Sequence, residues 1–325
     1  MVSLRLSPQH QTAHIQIREQ LDFATILYNK GLYQQSLKIL DKARSAALEL
    51  DETNMAFEII EFEKAIESQY ITRSLRSRAD DLAVEAKDLS IRNVLLSKLS
   101  NLSLQLHSFL LAHGYAKDED DYLTARNYFY SRLPAFDIDE LGYRERMYLY
   151  QSQLWYSFIV QDFRAAYKYS QKWVDLYEEF PEMISSNPVY YLKSHHYLLE
   201  SLYYLRYNSK LSEVLEKLMA ITEDERFVDN ENVNTIAFIY GYYGKLNYHF
   251  LNGDFKGGLE LIPKIEQELE AQEHNIDPHH LMVFYYKFGC MHFGADNWER
   301  SVVYLQKIIE NKELGMREDL LCFSR

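Results

Sequence analysis

Apolar residues along this chain recur at three- and four-residue steps, the period of a helix with one buried face. The segment Leu21–Ala43, LDFATILYNKGLYQQSLKILDKA, carries that pattern on both sides of Asn29-Lys30-Gly31, which predicts two amphipathic helices joined by a tight turn. The same arrangement returns at Tyr150–Trp173 around Val160-Gln161-Asp162, with Phe163 opening the second helix. Two further copies occupy Tyr242–Ile265, turning at Asn252-Gly253-Asp254, and Tyr285–Ile308, turning at Ala295-Asp296-Asn297. A fifth turn is expected near Ser209.

The bulky residue after each turn serves as a ruler for internal repeats. Clear marks stand at Tyr33, Phe163, Phe255 and Trp298, and Arg76, Tyr122 and Leu211 extend the series, with steps of 41 to 48 residues. Longer, breaker-containing loops separate the units: Ser131–Tyr143, Phe180–Pro188, Thr222–Asn234 and His274–His280. Short turns inside pairs and longer loops between them are what stacked helical hairpins require. The expected fold is therefore all-α, a solenoid of about seven stacked hairpins forming one array over residues 18–325, preceded by a leader at 1–17. Glu318–Arg325 reads as the first turns of a further helix with no polar cap, so a longer array, or self-association through an uncovered C-terminal end, is expected.

The units resemble the tetratricopeptide repeat, whose helix pair reads W-x2-L-G-x2-Y followed by A-x3-F. The last unit is the best match: Tyr285-x2-Phe288-Gly289-x2-His292, then Ser301-x3-Leu305. The first offers Gly31-x-Tyr33-x2-Ser36-x3-Leu40-x2-Ala43. The resemblance spans nearly the whole chain but departs in period, 41–48 residues against 34, and most units lack the closing proline.

Composition narrows the classes. Hydrophobic residues make up 47% of the 325, charged residues 26%, and only 11 Gly and 6 Pro interrupt them, which suits long helices rather than a many-turned β fold. A net charge of -13 argues against a nucleic-acid backbone or an anionic membrane as partner. Cys290 and Cys322 cannot build a disulfide framework, and no segment reads as a signal peptide or a membrane span; a cytoplasmic setting is expected.

No catalytic motif stands out, and no cofactor is expected. GDFKGG at Gly253–Gly258 lacks the Lys-Ser/Thr of a phosphate loop and follows no strand; its small residues, like Gly241 and Gly244, suit close helix contacts. His10 and His14 lack the intervening Glu of a zinc-peptidase helix, and Cys290-x-His292 would diverge on a helix. The acidic runs Asp118–Asp121 and Glu223–Glu225 read as solvated turns or loops.

The 27 tyrosines concentrate on first helices of pairs. Some fill the core; neighbours such as Tyr203-Tyr204 and Tyr242-Tyr243 point about 100° apart, so both members should not be equally buried. In the tetratricopeptide family the first helices line a concave groove. The resemblance implies groove positions at Tyr28 and Asn29, Tyr148, Gln151 and Trp155, His196, Tyr203 and Arg206, Tyr240, Tyr243 and Asn247, and Tyr286. Of the positions where family members hold C-terminal carboxylates, only Asn247 matches. The expected function is non-catalytic: a scaffold binding a protein or peptide in an aromatic groove, with a ligand- or peptide-sensing module of a longer protein as the alternative.

Overall fold

A computed structural model describes residues 13–69, 75–221, 224, 226–227, 229–272, 274–310 and 324. Among them no strand occurs, and fourteen α-helices follow one another. They are α1 (Ala13–Asn29), α2 (Tyr33–Glu49), α3 (Thr53–Gln69), α4 (Leu75–His113), α5 (Glu119–Arg132), α6 (Tyr143–Ile159) and α7 (Phe163–Glu179). There follow α8 (Glu182–Ser186), α9 (Pro188–Leu205), α10 (Asn208–Ile221), α11 (Glu231–Leu251), α12 (Phe255–Ala271), α13 (Pro278–Gly294) and α14 (Trp298–Ile309). Successive helices pack on one another, and α9 also packs on α7 and α11, as α11 does on α13.

One turn geometry recurs. Gly31, Asp51, Gln161, Arg206, Gly253 and Asp296 all have φ between 54° and 76°, and each stands two residues before the next helix. The N–H that follows each of them donates to the carbonyl five residues back, at 2.8–3.0 Å, which closes the preceding helix. In three of these turns the next residue caps the second helix: Asp162, Asp254 and Asn297 accept from the N–H groups of Ala165, Gly257 and Arg300. That is why Phe163, Phe255 and Trp298 open their helices as expected. The turn expected near Ser209 lies instead at Arg206, and Ser209 is already inside α10.

Other expectations change. Residues 75–113 form one uninterrupted helix of 39 residues, because no Gly or Pro occurs before Gly114 to end it. Glu119, Asp120 and Asp121 form the first turn of α5 rather than a loop, where carboxylates meet the positive end of the helix dipole, and Asp118 accepts from the Asp121 N–H at 2.9 Å. Tyr242 and Tyr243 are both buried, at 7% and 4% exposure, because α11 is covered by α9 and α10 on one side and by α12 and α13 on the other. α1 starts at Ala13, inside the segment read as a leader, and Ile17 already joins the core. The acidic run at Glu223–Glu225, apart from Asp224, and the chain end expected to start a further helix, apart from Ser324, lie outside the described residues.

The chain divides into two compact units. The first comprises Met1–Asn101, Leu133–Leu149 and Phe180–Ser186; the second comprises Leu102–Arg132, Tyr150–Glu179 and Asn187–Arg325. The first is centred on Ile17, Leu21 and Ala24 of α1, Leu40 and Ala43 of α2, Ile59, Ile60 and Ile66 of α3, and Leu82 and Leu89 of α4. A charged cluster sits beside that core. Glu63 is fully buried, with Arg44 at 3.2 Å, while Arg78 reaches Asp41 at 2.9 Å. Burial outweighs both arginines and pushes the Glu63 carboxyl up to about 7. The second unit packs around Phe129, Leu154, Trp173, Leu198, Phe284 and Phe288. Two of its glycines mark close helix contacts: a β-carbon on Gly244 would stand 2.8 Å from Leu215, and one on Gly241 would stand 2.7 Å from the Met219 sulfur.

Candidate functional site

The predicted positions separate. Tyr28, Asn29 and Tyr148 belong to the first unit, and all the others to the second. Tyr28 is half-buried edge-on to Phe62 at 5.5 Å and donates to Gln69, Asn29 is exposed, and Tyr148 is half-buried. The first unit also has a cavity of about 320 Å³ near Asp51, Arg92 and Tyr143. Its arginine is already engaged: Arg92 donates to Asp51 at 2.8 Å and to the buried Glu145 at 3.1 Å.

In the second unit one face of α9, α11 and α13, with residues of α4 and α6, gathers the remaining candidates. Pro188 pre-sets the first turn of α9, and the left-handed Arg206 ends it. Neighbouring helices bury Leu192, His195, Leu198, Leu199 and Leu202, which leaves the stripe Lys193, His196, Tyr197, Glu200 and Tyr203. Asn230 caps α11 by accepting from the Val233 N–H at 3.1 Å, and Asp277 caps α13 by accepting from the His280 N–H at 3.0 Å.

Several predicted groove residues turn out to be walls. Trp155 is 2% exposed, with its ring 4.6 Å from both His107 and Tyr197. Gln151 is buried and accepts from Ser103 at 3.1 Å. Tyr240 stacks on His196 at 4.1 Å with the planes 6° apart. Tyr243 packs on Phe284 at 4.6 Å and donates to the His280 carbonyl at 2.7 Å. Asn247 bridges two helices, donating to Glu200 at 3.1 Å and accepting from Lys287 at 2.5 Å. Accessible area on this face therefore belongs to the half-buried side chains. Tyr203, Tyr286, Lys287 and Cys290, with Asn247 and the exposed Phe250, line a pocket of about 130 Å³. Arg206 is exposed at the C-terminal end of α9 and does not line that pocket.

Two lysines and two carboxylates, Glu200 and Asp277, act on the rings of this face. The Lys193 ammonium lies 5.7 Å from the Trp155 ring centre and 6.0 Å from that of Tyr197, and burial depresses its pKa. Lys287 lies 5.3 Å from the Tyr243 ring centre. Burial, together with Lys193 and His279, pulls His107 down to about 4. Burial, then His280, Lys287 and Lys193, holds His196 well below the ordinary histidine range, so both imidazoles are neutral at pH 7. Burial pushes the Cys290 thiol up, which keeps it from acting as a thiolate. Among the described residues no group of three or more His, Cys, Asp and Glu side chains is placed to hold a metal ion. The arrangement presents aromatic surface, two lysines, and neutral imidazoles that each carry one N–H donor and one acceptor nitrogen.

Sequence reasoning missed Lys193, Lys287, His107 and Tyr197. The signal for the α9 pair was present, since Lys193, His196, Tyr197, Glu200 and Tyr203 recur at three- and four-residue steps. The register carried over from the repeat family placed the groove on Trp155 and Tyr243 as well, which are 2% and 4% exposed. Among the described residues no helix is long and apolar enough to cross a membrane. No family model matches this chain, and no curated protein and no solved structure matches it.

Proposed function

We propose that this chain is a non-catalytic binding module, a solenoid of hairpins of tetratricopeptide kind that holds an extended peptide on the face of α9, α11 and α13. The observation that carries the reading is the pocket of about 130 Å³ whose accessible walls are Tyr203, Phe250 and Tyr286. Half-buried aromatics already fixed by packing lose few rotamers when a partner arrives, and such residues dominate binding energies. The recurrent left-handed turn, two residues ahead of the second helix in pair after pair, supports the repeat architecture.

The test is a random peptide library selected against the intact protein, with each recovered peptide measured by fluorescence anisotropy. Peptides with Kd below about 100 µM are expected, and the double variant Tyr203→Ala/Tyr286→Ala should weaken them at least about tenfold, since a hot-spot aromatic contributes about 2 kcal/mol. A library that returns no binder, or binders indifferent to both tyrosines, refutes the reading.

A further inference from the structure

We propose that the peptide is acidic, and that one of its carboxylates seats against the Lys193 ammonium beside Trp155 and Tyr197, with Lys287 as the second cationic contact. This rests on the face being a peptide groove, as proposed above, and adds the chemistry of the partner.

Lys193 is largely enclosed, and among the described residues no carboxylate pairs with it; its neighbours are two aromatic rings. A desolvated ammonium is costly unless an anion or a ring face compensates it, and rings at these distances compensate only in part. The nearest carboxylate on the same stripe, Glu200, is engaged by Asn247. The carboxylates bordering the face are engaged elsewhere, Glu200 by Asn247 and Asp277 by His280, while the field of Lys193 reaches both His107 and His196 and Lys287 also acts on His196. An incoming carboxylate supplies the missing countercharge where the dielectric is low and each contact is strong.

The chain's overall charge of -13 does not decide against this. At physiological salt, charges farther apart than about 8 Å are largely screened, so the lysines lining the face set the preference. Phosphate is a poorer fit, because Lys193 and Lys287 are point charges rather than an arginine fork.

Geometry adds a spacing. Lys193 and Tyr203 lie ten residues apart on α9, about 15 Å at 1.5 Å per residue. An extended peptide at about 3.3 Å per residue spans this in four or five residues. Its acidic and apolar side chains should stand that far apart.

The experiment uses fluorescein-labelled dodecapeptides in anisotropy titrations with the full chain. The probes are an alternating Glu/Leu peptide with an amidated C-terminus, its Gln/Leu and Lys/Leu counterparts, and a Gln/Leu peptide with a free C-terminus. The Glu/Leu amide should bind at least about tenfold more tightly than the Gln/Leu amide, and its affinity should fall as salt rises. Recovery of affinity by the free-acid Gln/Leu peptide would assign the contact to a terminal carboxylate, and its absence to an acidic side chain. Lys193→Met keeps the aliphatic stem and should abolish most of the difference while melting no lower than wild type, because it removes a buried charge; Lys193→Gln is the companion variant should the Met form fail to fold. Equal binding of the Glu and Gln amides, or a Lys193→Met protein that still prefers Glu, overturns the proposal. Should the Gln and Lys peptides bind as well as Glu, and all be lost in Tyr203→Ala/Tyr286→Ala, the groove stands and the acid preference falls. Should no probe bind at about 1 mM, both fall.

Discussion

Tyr243 and Tyr203 were read alike from sequence, and the structure predicts opposite consequences for removing them. The Tyr243 ring is 4% exposed, packs 4.6 Å from Phe284, and holds the His280 carbonyl at 2.7 Å. Tyr243→Ala loses the transfer energy of a buried aromatic and leaves a cavity beneath Phe284, together about 3–5 kcal/mol. Tyr243→Phe separates out the hydrogen bond, at about 1 kcal/mol. At about 2 °C per kcal/mol for a chain of this size, the alanine variant should melt about 6–10 °C lower, and the phenylalanine variant about 2 °C lower. Tyr203 and Tyr286 each keep one side open to solvent, so their alanine forms should cost about 1 kcal/mol apiece while removing most of the peptide affinity. The assay is thermal unfolding by circular dichroism at fixed protein concentration, with the Glu/Leu peptide titrated into each variant. A Tyr243→Ala protein melting within about 2 °C of wild type would refute its burial. A double variant at Tyr203 and Tyr286 falling as far as Tyr243→Ala would show that those rings are core and would remove the contact surface.

Glu63 supplies a pH signature: its folded pKa is raised from 4.5 to about 7, so its contribution is full below pH 4.5 and is lost as pH rises through 7. Glu63→Gln imitates the protonated form, so its stability advantage over wild type in urea denaturation should grow between pH 5 and pH 8, by up to about 3 kcal/mol; a gap independent of pH would refute this. Arg206 holds φ 57° at the end of α9, where a side chain costs about 1–2 kcal/mol that glycine avoids, less about 0.5–1 kcal/mol of glycine's extra unfolded-chain freedom. Arg206→Gly should therefore raise the midpoint slightly and leave peptide affinity unchanged; a lower midpoint would show that the side chain contributes contacts beyond the turn.

Much of the secondary structure was legible because its causes are local. An acid or amide followed by a bulky aromatic, as in Asp162-Phe163, Asp254-Phe255 and Asn297-Trp298, marks a cap and the first residue of a helix whatever the rest of the chain does. The same locality explains the repeating turn, where one residue must enter the left-handed region so that the next N–H can reach the carbonyl five positions back. Where the local signal was weak, at Arg76 and Tyr122, repeat spacing could not reveal that α4 runs unbroken for 39 residues.

Burial is a different kind of fact. Tyr242 and Tyr243 look like one inner and one outer residue until α9, α10, α12 and α13 close over both. Tyr204, beside the half-buried Tyr203, keeps 39% of its surface while stacking on Phe163 at 4.3 Å. Which face of α9 looks inward depends on where its neighbours lie, and a rotation of one residue exchanges Leu199 for Glu200. The same holds for charge: Lys193 is an ordinary lysine in sequence, and only the packing of Trp155, Tyr197 and His107 around it makes it a desolvated cation that no carboxylate pairs with among the described residues. Sequence alone determined the hairpins with well-marked turns, because hydrogen bonding and backbone geometry act over a few residues. The tertiary structure alone decided which tyrosines are core and where the buried lysine lies, because burial and the dielectric around a charge are set largely by residues distant in the sequence.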